Sequence, residues 1–147
     1  MEKSRFLSFI LGNEEFAIPL LTIKEVIAFN QKITKIPDVP DYYLGIINLR
    51  ETIIPILDLR KKLKYPSNVS EQTSIIIVDF DNYEAGIVVD QVNSVLSISS
   101  EEIAPAPEIK KTGFVSGVFK KENLILLIDL KEAIGQNVVK DNYRKSS

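Results

Sequence analysis

The chain has 147 residues, 45% apolar and 26% charged, with 18 Lys+Arg against 20 Asp+Glu for a formal net charge of −2. That is a globular composition long enough to bury a sizeable core, without the basic excess of a nucleic-acid binder or a strongly acidic tail. It holds no Cys, His or Trp, which excludes a structural disulfide, a thiolate nucleophile, a Cys/His zinc site and a histidine general base.

Only Phe6 to Leu11 precede Gly12-Asn13, too short an apolar stretch for a signal peptide or a membrane span. A cytoplasmic location without direct membrane insertion is therefore expected. Ile, Val, Leu and Phe come in short runs broken by Gly, Pro, Asn and Asp, a strand pattern more than a helical one. The first hairpin is expected from Phe6–Leu11 and Phe16–Leu20 across a Gly12-Asn13-Glu14-Glu15 turn. Pro19, which has no N–H to donate, belongs at an edge or a bulge. Leu21 to Phe29 reads either as a helix with Ile23, Val26 and Ile27 on one side or as an extended segment with a short turn. The β-branched Thr22, Ile23, Val26 and Ile27 favour the second.

The rigid connection Pro37-Asp38-Val39-Pro40-Asp41 leads into a second hairpin, Tyr43–Asn48 and Thr52–Leu57, joined by Leu49-Arg50-Glu51. Asp58 is placed to cap one or two helical turns ending near Leu63, and Tyr65 to Glu71 is a polar loop. Thr73–Phe80 and Tyr83–Val89 form a third hairpin around Asp81-Asn82. Gly113–Phe119 and Asn123–Ile128 form the last, followed by a short helix from Asp129 to Ile134 that Gly135 ends, and by a polar tail, 136–147.

An internal repeat organises these elements. Gly45-Ile-Ile-Asn-Leu-Arg-Glu-Thr-Ile-Ile-Pro-Ile-Leu-Asp-Leu59 is echoed by Gly117-Val-Phe-Lys-Lys-Glu-Asn-Leu-Ile-Leu-Leu-Ile-Asp-Leu130. Glu15-Phe-Ala-Ile18 with Val26 parallels Glu84-Ala-Gly-Ile87 with Val95, and Ile36-Pro-Asp-Val-Pro40 parallels Ile103-Ala-Pro-Ala-Pro107. The chain thus divides into halves, 5–70 and 72–135, each with about five short strands, few enough that closure into a small barrel is the expected way to remove exposed edges. Units this small are expected to pack on each other around a shared core, with a groove between them.

Most polar candidates have structural readings. Asp58 and Asp129, in equivalent positions before a short helix, read as caps. Asp79, Asp81 and Asp90 flank a turn or end a strand, and no metal or cofactor is expected there. Ser116-Gly117 lies outside a GxSxG elbow and has no histidine to activate it. Arg60-Lys61-Lys62 with Lys64 reads as a solvated helix and loop face, with a contact for an acidic partner as the alternative. Arg50 at a hairpin tip is either simply exposed or the five-donor anchor of a protein contact. Glu25 has the same ambiguity, and Ile23, Val26 and Val95 are either core or the apolar lining of a groove with a charged rim.

On these residues the sequence resembles the CheW-like family of chemotaxis coupling proteins, over roughly Arg5 to Ile134. The strings that carry the resemblance are Phe9-Ile-Leu-Gly-Asn-Glu-Glu-Phe-Ala-Ile18, Ile36-Pro-Asp-Val-Pro40, Gly45-Ile-Ile-Asn-Leu-Arg50, Ile53-Ile-Pro-Ile-Leu-Asp-Leu-Arg60, Ala85-Gly-Ile-Val-Val-Asp-Gln-Val92, Ile103-Ala-Pro-Ala-Pro107 and Gly117-Val. Their order along the chain is more specific than any one of them. The resemblance implies an all-β protein of two small five-stranded SH3-like β-barrels with short helices. It also implies a non-catalytic adaptor, monomeric in isolation, that joins the cytoplasmic hairpin tip of chemoreceptors to the regulatory domain of the CheA histidine kinase in membrane-associated arrays. Receptor contacts carry over to Ile23, Glu25, Val26, Asn48, Leu49, Arg50, Val92 and Val95, while no residue carries over to the kinase contact. The family usually follows that arginine with Gly, where this chain has Glu51.

Competing readings are a CheW-like adaptor for a different kinase pathway and, in another class, a small-barrel enzyme or a nucleic-acid binder. The missing His and Cys weigh against the enzyme, and the seven Phe, most of them in strand patterns, read as core and not as a base-stacking face.

Overall fold

The computed structural model describes residues 2–106 and 113–134. The strands are β1 (Lys3–Leu11), β2 (Glu14–Pro19), β3 (Ile23–Ala28), β4 (Tyr43–Leu49), β5 (Thr52–Asp58), β6 (Ser74–Asp79), β7 (Glu84–Val89), β8 (Gln91–Ser99), β9 (Ile103–Ala104), β10 (Val115–Lys120) and β11 (Leu124–Ile128). Two short helices follow matching strands, α1 (Leu59–Lys62) after β5 and α2 (Leu130–Ile134) after β11, and 3-10 turns at Leu20–Thr22 and Ser100–Glu102 precede β3 and β9. The expected Gly135 stop, Pro107 and the tail 136–147 lie outside the described residues.

The strands form two mixed sheets, six-stranded in the order β8-β1-β2-β11-β10-β9 and five-stranded in the order β3-β6-β7-β5-β4. This corrects the expectation of two five-stranded SH3-like barrels: neither sheet closes, because no ladder joins β8 to β9 or β3 to β4 among the described residues. The edges are protected by other means. β9 is only two residues long, β4 is covered by a Thr34–Ile46 bridge with both N···O distances at 2.9 Å, and β8 exposes Gln91, Asn93, Ser94 and Ser97. A Cβ at Gly45 would strike the Thr34 carbonyl, so the bridge requires glycine there.

The repeat is visible in the pairing. Each sheet takes the leading hairpin of one half, β1–β2 or β6–β7, and adds the later strands of the other half, β8, β9, β10 and β11 or β3, β4 and β5. Registers match position for position: Ile56 opposes Gly86 in the parallel pair β5–β7, and Leu127 opposes Ala17 in the parallel pair β11–β2. Likewise Val26 opposes Ile76, and Val95 opposes Leu7.

Alternation along each strand explains the continuous apolar runs. Ile76 and Val78 face a central core with Leu7, Phe9, Phe16 and Ile18 of the other sheet, whereas Ile75 and Ile77 face a second cluster with Ile47, Ile54 and Val88. A third cluster, Ala17, Leu96, Ile98, Ile125 and Leu127, lies on the far face of the six-stranded sheet. Both faces of the central strands are thus buried, so they lack the polar alternation of a one-sided sheet.

Two turns refine the expectations. The first hairpin closes over two residues, Gly12 and Asn13, and not four, with Leu11 opposite Glu14 and Gly12 at φ +61°. Pro19 lies on the interior strand β2 with no bulge there, which corrects the expectation of an edge or bulge; it ends β2 beyond the last residue paired with β11, so its missing N–H interrupts no parallel ladder. The segment after it is a 3-10 turn followed by extended β3, as the β-branched residues indicate.

Candidate docking site

The β4–β5 connection is a two-residue turn, Leu49 opposite Thr52, with Arg50 at φ +49° and Glu51 at φ +70°. Two successive left-handed residues make a type I′ hairpin, whose twist suits the flanking strands and whose second position favours Gly. The positive-φ geometry is therefore kept with Glu51 in the glycine's place, at a cost of about 1 kcal/mol. Glu51→Gly is expected to raise the unfolding free energy by about that amount, measured by urea titration; an unchanged or lower midpoint would show that Glu51 is not strained.

From this rigid tip the Arg50 guanidinium reaches Glu25 on β3 and forms an ion pair. β3 and β5 are three strand steps apart, about 14 Å along a flat sheet at the usual spacing of about 4.8 Å. The five-stranded sheet therefore curls back towards its own edge without the ladder that would close it. A bulge between Ile23 and Glu25 alters the register of β3 at this point. Next to the pair, Lys24 Nζ donates to Glu84 Oε2 at 2.5 Å, and the hydrogen bond and charge of Glu84 hold the Lys24 ammonium above its usual pKa. Leu49, Thr52 and Ile54 help to line the resulting pocket of ≈ 250 Å³. Arg50 is 67% exposed, so the pair contributes little to stability and mainly holds the guanidinium in place.

The other expected residues separate into two groups. Ile23 and Val92 are half-buried against the central core, whereas Val26 and Val95 are 42% and 52% exposed on the edge strands β3 and β8. Asn48 is exposed beside Arg50, and Leu49 packs against the second cluster. Glu25, Leu49 and Arg50 are brought together; Val92 and Val95 lie on the other sheet.

Family comparison decides what kind of protein carries this site. A family profile described as CheW-like domain matches residues 5–137. The chain belongs to the CheW-like family. It is 37% identical to the chemotaxis protein CheW of Klebsiella aerogenes, over 96% of this chain and 89% of that one. It is 35% identical to the chemotaxis protein CheW of Bacillus subtilis, over 97% and 90%. The crystal structure of the scaffolding protein TtCheW from Thermoanaerobacter tengcongensis superposes with a TM-score of 0.83 at 34% identity, covering 90% of this chain and 93% of that chain. The CheW-like match makes this chain a non-catalytic scaffold of the CheW type and not an enzyme. Among the described residues no helix is long and apolar enough to cross a membrane.

Within this CheW-like chain the two capping aspartates act as expected: Asp58 accepts the Arg60 N–H at 3.0 Å and Asp129 accepts the Lys131 N–H at 3.0 Å. The basic run is different. Arg60, expected on a solvated face, is 2% exposed and is clamped by Asp58 and Asp90, which corrects that reading. The signal in sequence is the Asp58-x-Arg60 spacing just after the apolar run 53–57; its second partner, Asp90, comes thirty residues later. A groove between the packed units is expected from the sequence, but not the lining of the ≈ 370 Å³ cleft between the sheets, which includes Pro19, Thr22, Phe80 and Asp129 beside the fully exposed Leu21.

Proposed function

We propose that this CheW-type scaffold couples chemoreceptors to a CheA-type histidine kinase, and that the surface around Arg50 receives the cytoplasmic hairpin tip of the receptor. The observation that carries the reading is the presentation of Arg50: a strained two-residue tip and the Glu25 carboxylate hold its guanidinium outward on a hairpin that also carries exposed Asn48 and Ile53, with exposed Val26 following Glu25 on β3. A fixed guanidinium next to an exposed aliphatic residue is the chemistry that anchors a helical partner. Ile23, half-buried against the central core, and Leu49, packed on the second cluster, complete the candidate contacts on this sheet, and Val92 and Val95 extend them onto β8. The regulatory domain of the kinase binds elsewhere, and the protein works in the cytoplasm, attached to receptor arrays through its partners.

The test is a titration of wild type and Arg50→Ala against a receptor cytoplasmic fragment and, separately, against the kinase regulatory domain. Arg50→Ala is expected to fold normally, to lose about tenfold or more in receptor affinity and to keep its kinase affinity. Unchanged receptor affinity would remove Arg50 from the contact. Failure of the wild type to bind either partner would place this fold in another pathway.

A further inference from the structure

The internal repeat equates the surface around Arg50 with a second surface on the six-stranded sheet. Since Val95 opposes Leu7 where Val26 opposes Ile76, Ser94 occupies the place of Glu25. The β10–β11 tip, Lys121-Glu122-Asn123 between the paired Lys120 and Leu124, occupies the place of Arg50-Glu51. Each tip borders a polar pocket, ≈ 250 Å³ at the first and ≈ 270 Å³ at the second. The Lys24–Glu84 contact of the first has its counterpart in the Asn93 amide, which donates to Glu15 at 2.8 Å. An exposed aliphatic residue stands beside each tip, Ile53 at 50% and Leu124 at 59% exposure.

The correspondence fails at the partner of the tip cation. Where Glu25 receives Arg50, Ser94 is engaged with Ser8, its backbone N–H donating to Ser8 Oγ at 3.2 Å and the two hydroxyls lying 3.3 Å apart. Neither Lys120 nor Lys121 forms an ion pair among the described residues, nor does Glu122 at the same tip. Glu15, the other carboxylate of the pocket, is the one held by Asn93. The second surface therefore repeats the tip cation, the pocket and the aliphatic neighbour of the first, with Asn93 in place of Lys24, and lacks the carboxylate that pairs with the tip cation.

We propose that the β10–β11 tip is a second docking point for the chemoreceptor hairpin, at which an acidic side chain of the receptor supplies to Lys121 the carboxylate that Glu25 supplies to Arg50 within the chain. This rests on the receptor-coupling reading above. Exposed Lys121 beside exposed Leu124 matches a helix that presents Glu or Asp next to an aliphatic residue. Val95, next to Ser94 on the same edge strand, makes the point continuous with the expected receptor contacts.

The experiment is a titration of a receptor cytoplasmic fragment against wild type, Arg50→Ala, Lys121→Ala, Ser94→Glu and the Lys121→Ala/Ser94→Glu double variant, at low and high salt, with thermal melts to confirm folding. Ser94→Glu places a carboxylate where Glu25 stands in the first surface, so it gives Lys121 an internal partner and closes the point. Each single change at Ser94 or Lys121 is expected to weaken receptor binding about fivefold at low salt and less at high salt. The double variant should bind no more weakly than Lys121→Ala, because both changes remove one contact. Wild-type affinity in both single variants, or fully additive losses in the double, would overturn the proposal. If Arg50→Ala alone weakens binding, the coupling reading survives without the second point; if wild type itself does not bind the fragment, the coupling reading fails with it.

Discussion

Arg60→Ala is expected to lower the unfolding free energy by about 3–5 kcal/mol, enough to leave the chain marginally folded at room temperature. Arg60 donates through Nε to Asp58 at 2.9 Å, through Nη2 to Asp58 at 3.1 Å, and through Nη1 to Asp90 at 3.1 Å and to the Asn68 carbonyl at 2.8 Å. Burial acts to lower the guanidinium pKa, but the hydrogen bonds and charges of Asp58 and then Asp90 outweigh it and raise the value. Asp58 itself is 1% exposed, so removing the guanidinium leaves a desolvated carboxylate with only the α1 N–H as donor. Asp90 also accepts the Gly12 N–H at 2.7 Å, so the cluster ties the β1–β2 turn to the ends of β5 and β7. Arg60→Lys keeps the charge but cannot span both carboxylates and the carbonyl, and should recover only part of the loss. Urea unfolding of both variants decides the matter; a loss below about 1 kcal/mol for Arg60→Ala would mean that water reaches and solvates Asp58.

The same cluster marks the limit of what sequence discloses here. Hairpins were legible because their signals are local: Gly12-Asn13 at the first turn, Asp81-Asn82 at the third, and runs such as Ser74–Asp79 that hold little but β-branched residues. The repeat was legible because order and spacing persist from Gly45 to Leu59 and again from Gly117 to Leu130. Which strands share a sheet was not, since β1–β2 pairs as well with the later strands of either half so far as pattern is concerned; only tertiary packing makes the exchange. Closure was not legible for a related reason. A polar edge such as β8, whose alternation is too weak to announce a strand of nine residues, protects a sheet without a closing ladder. In the candidate site, Arg50 and Glu25 could be named, but their pairing depends on the curl of a sheet whose intervening strands, β6 and β7, come after both in sequence. Arg60 was misread because a cation beside Lys61 and Lys62 looks solvated until Asp90 is brought to it.

Interleaving of the halves sets the second large effect. Phe9→Ala is expected to cost about 3–5 kcal/mol and to lower Tm by about 10–15 °C, in one transition that removes both sheets together. Phe9 is fully buried, stacks on Phe16 with ring centroids 5.9 Å apart, and belongs to the core that also holds Ile76, Val78 and Ile87 of the five-stranded sheet. It comes from the first half of the sequence, yet its neighbours across the sheet, β8 beside β1 and β11 beside β2, come from the second. A cavity at Phe9 therefore weakens strands of both halves at once, and a calorimetric enthalpy equal to the van't Hoff value should accompany the lowered Tm. A biphasic melt, with the strands of 72–135 outlasting those of 5–70, would show that the halves fold independently in spite of their shared sheets. One cooperative unit also suits a scaffold: the edge strands β3 and β8 and the tips at Arg50 and Lys121 are held by a common core, so a partner seated at one surface meets a rigid body and not a loosely hinged pair.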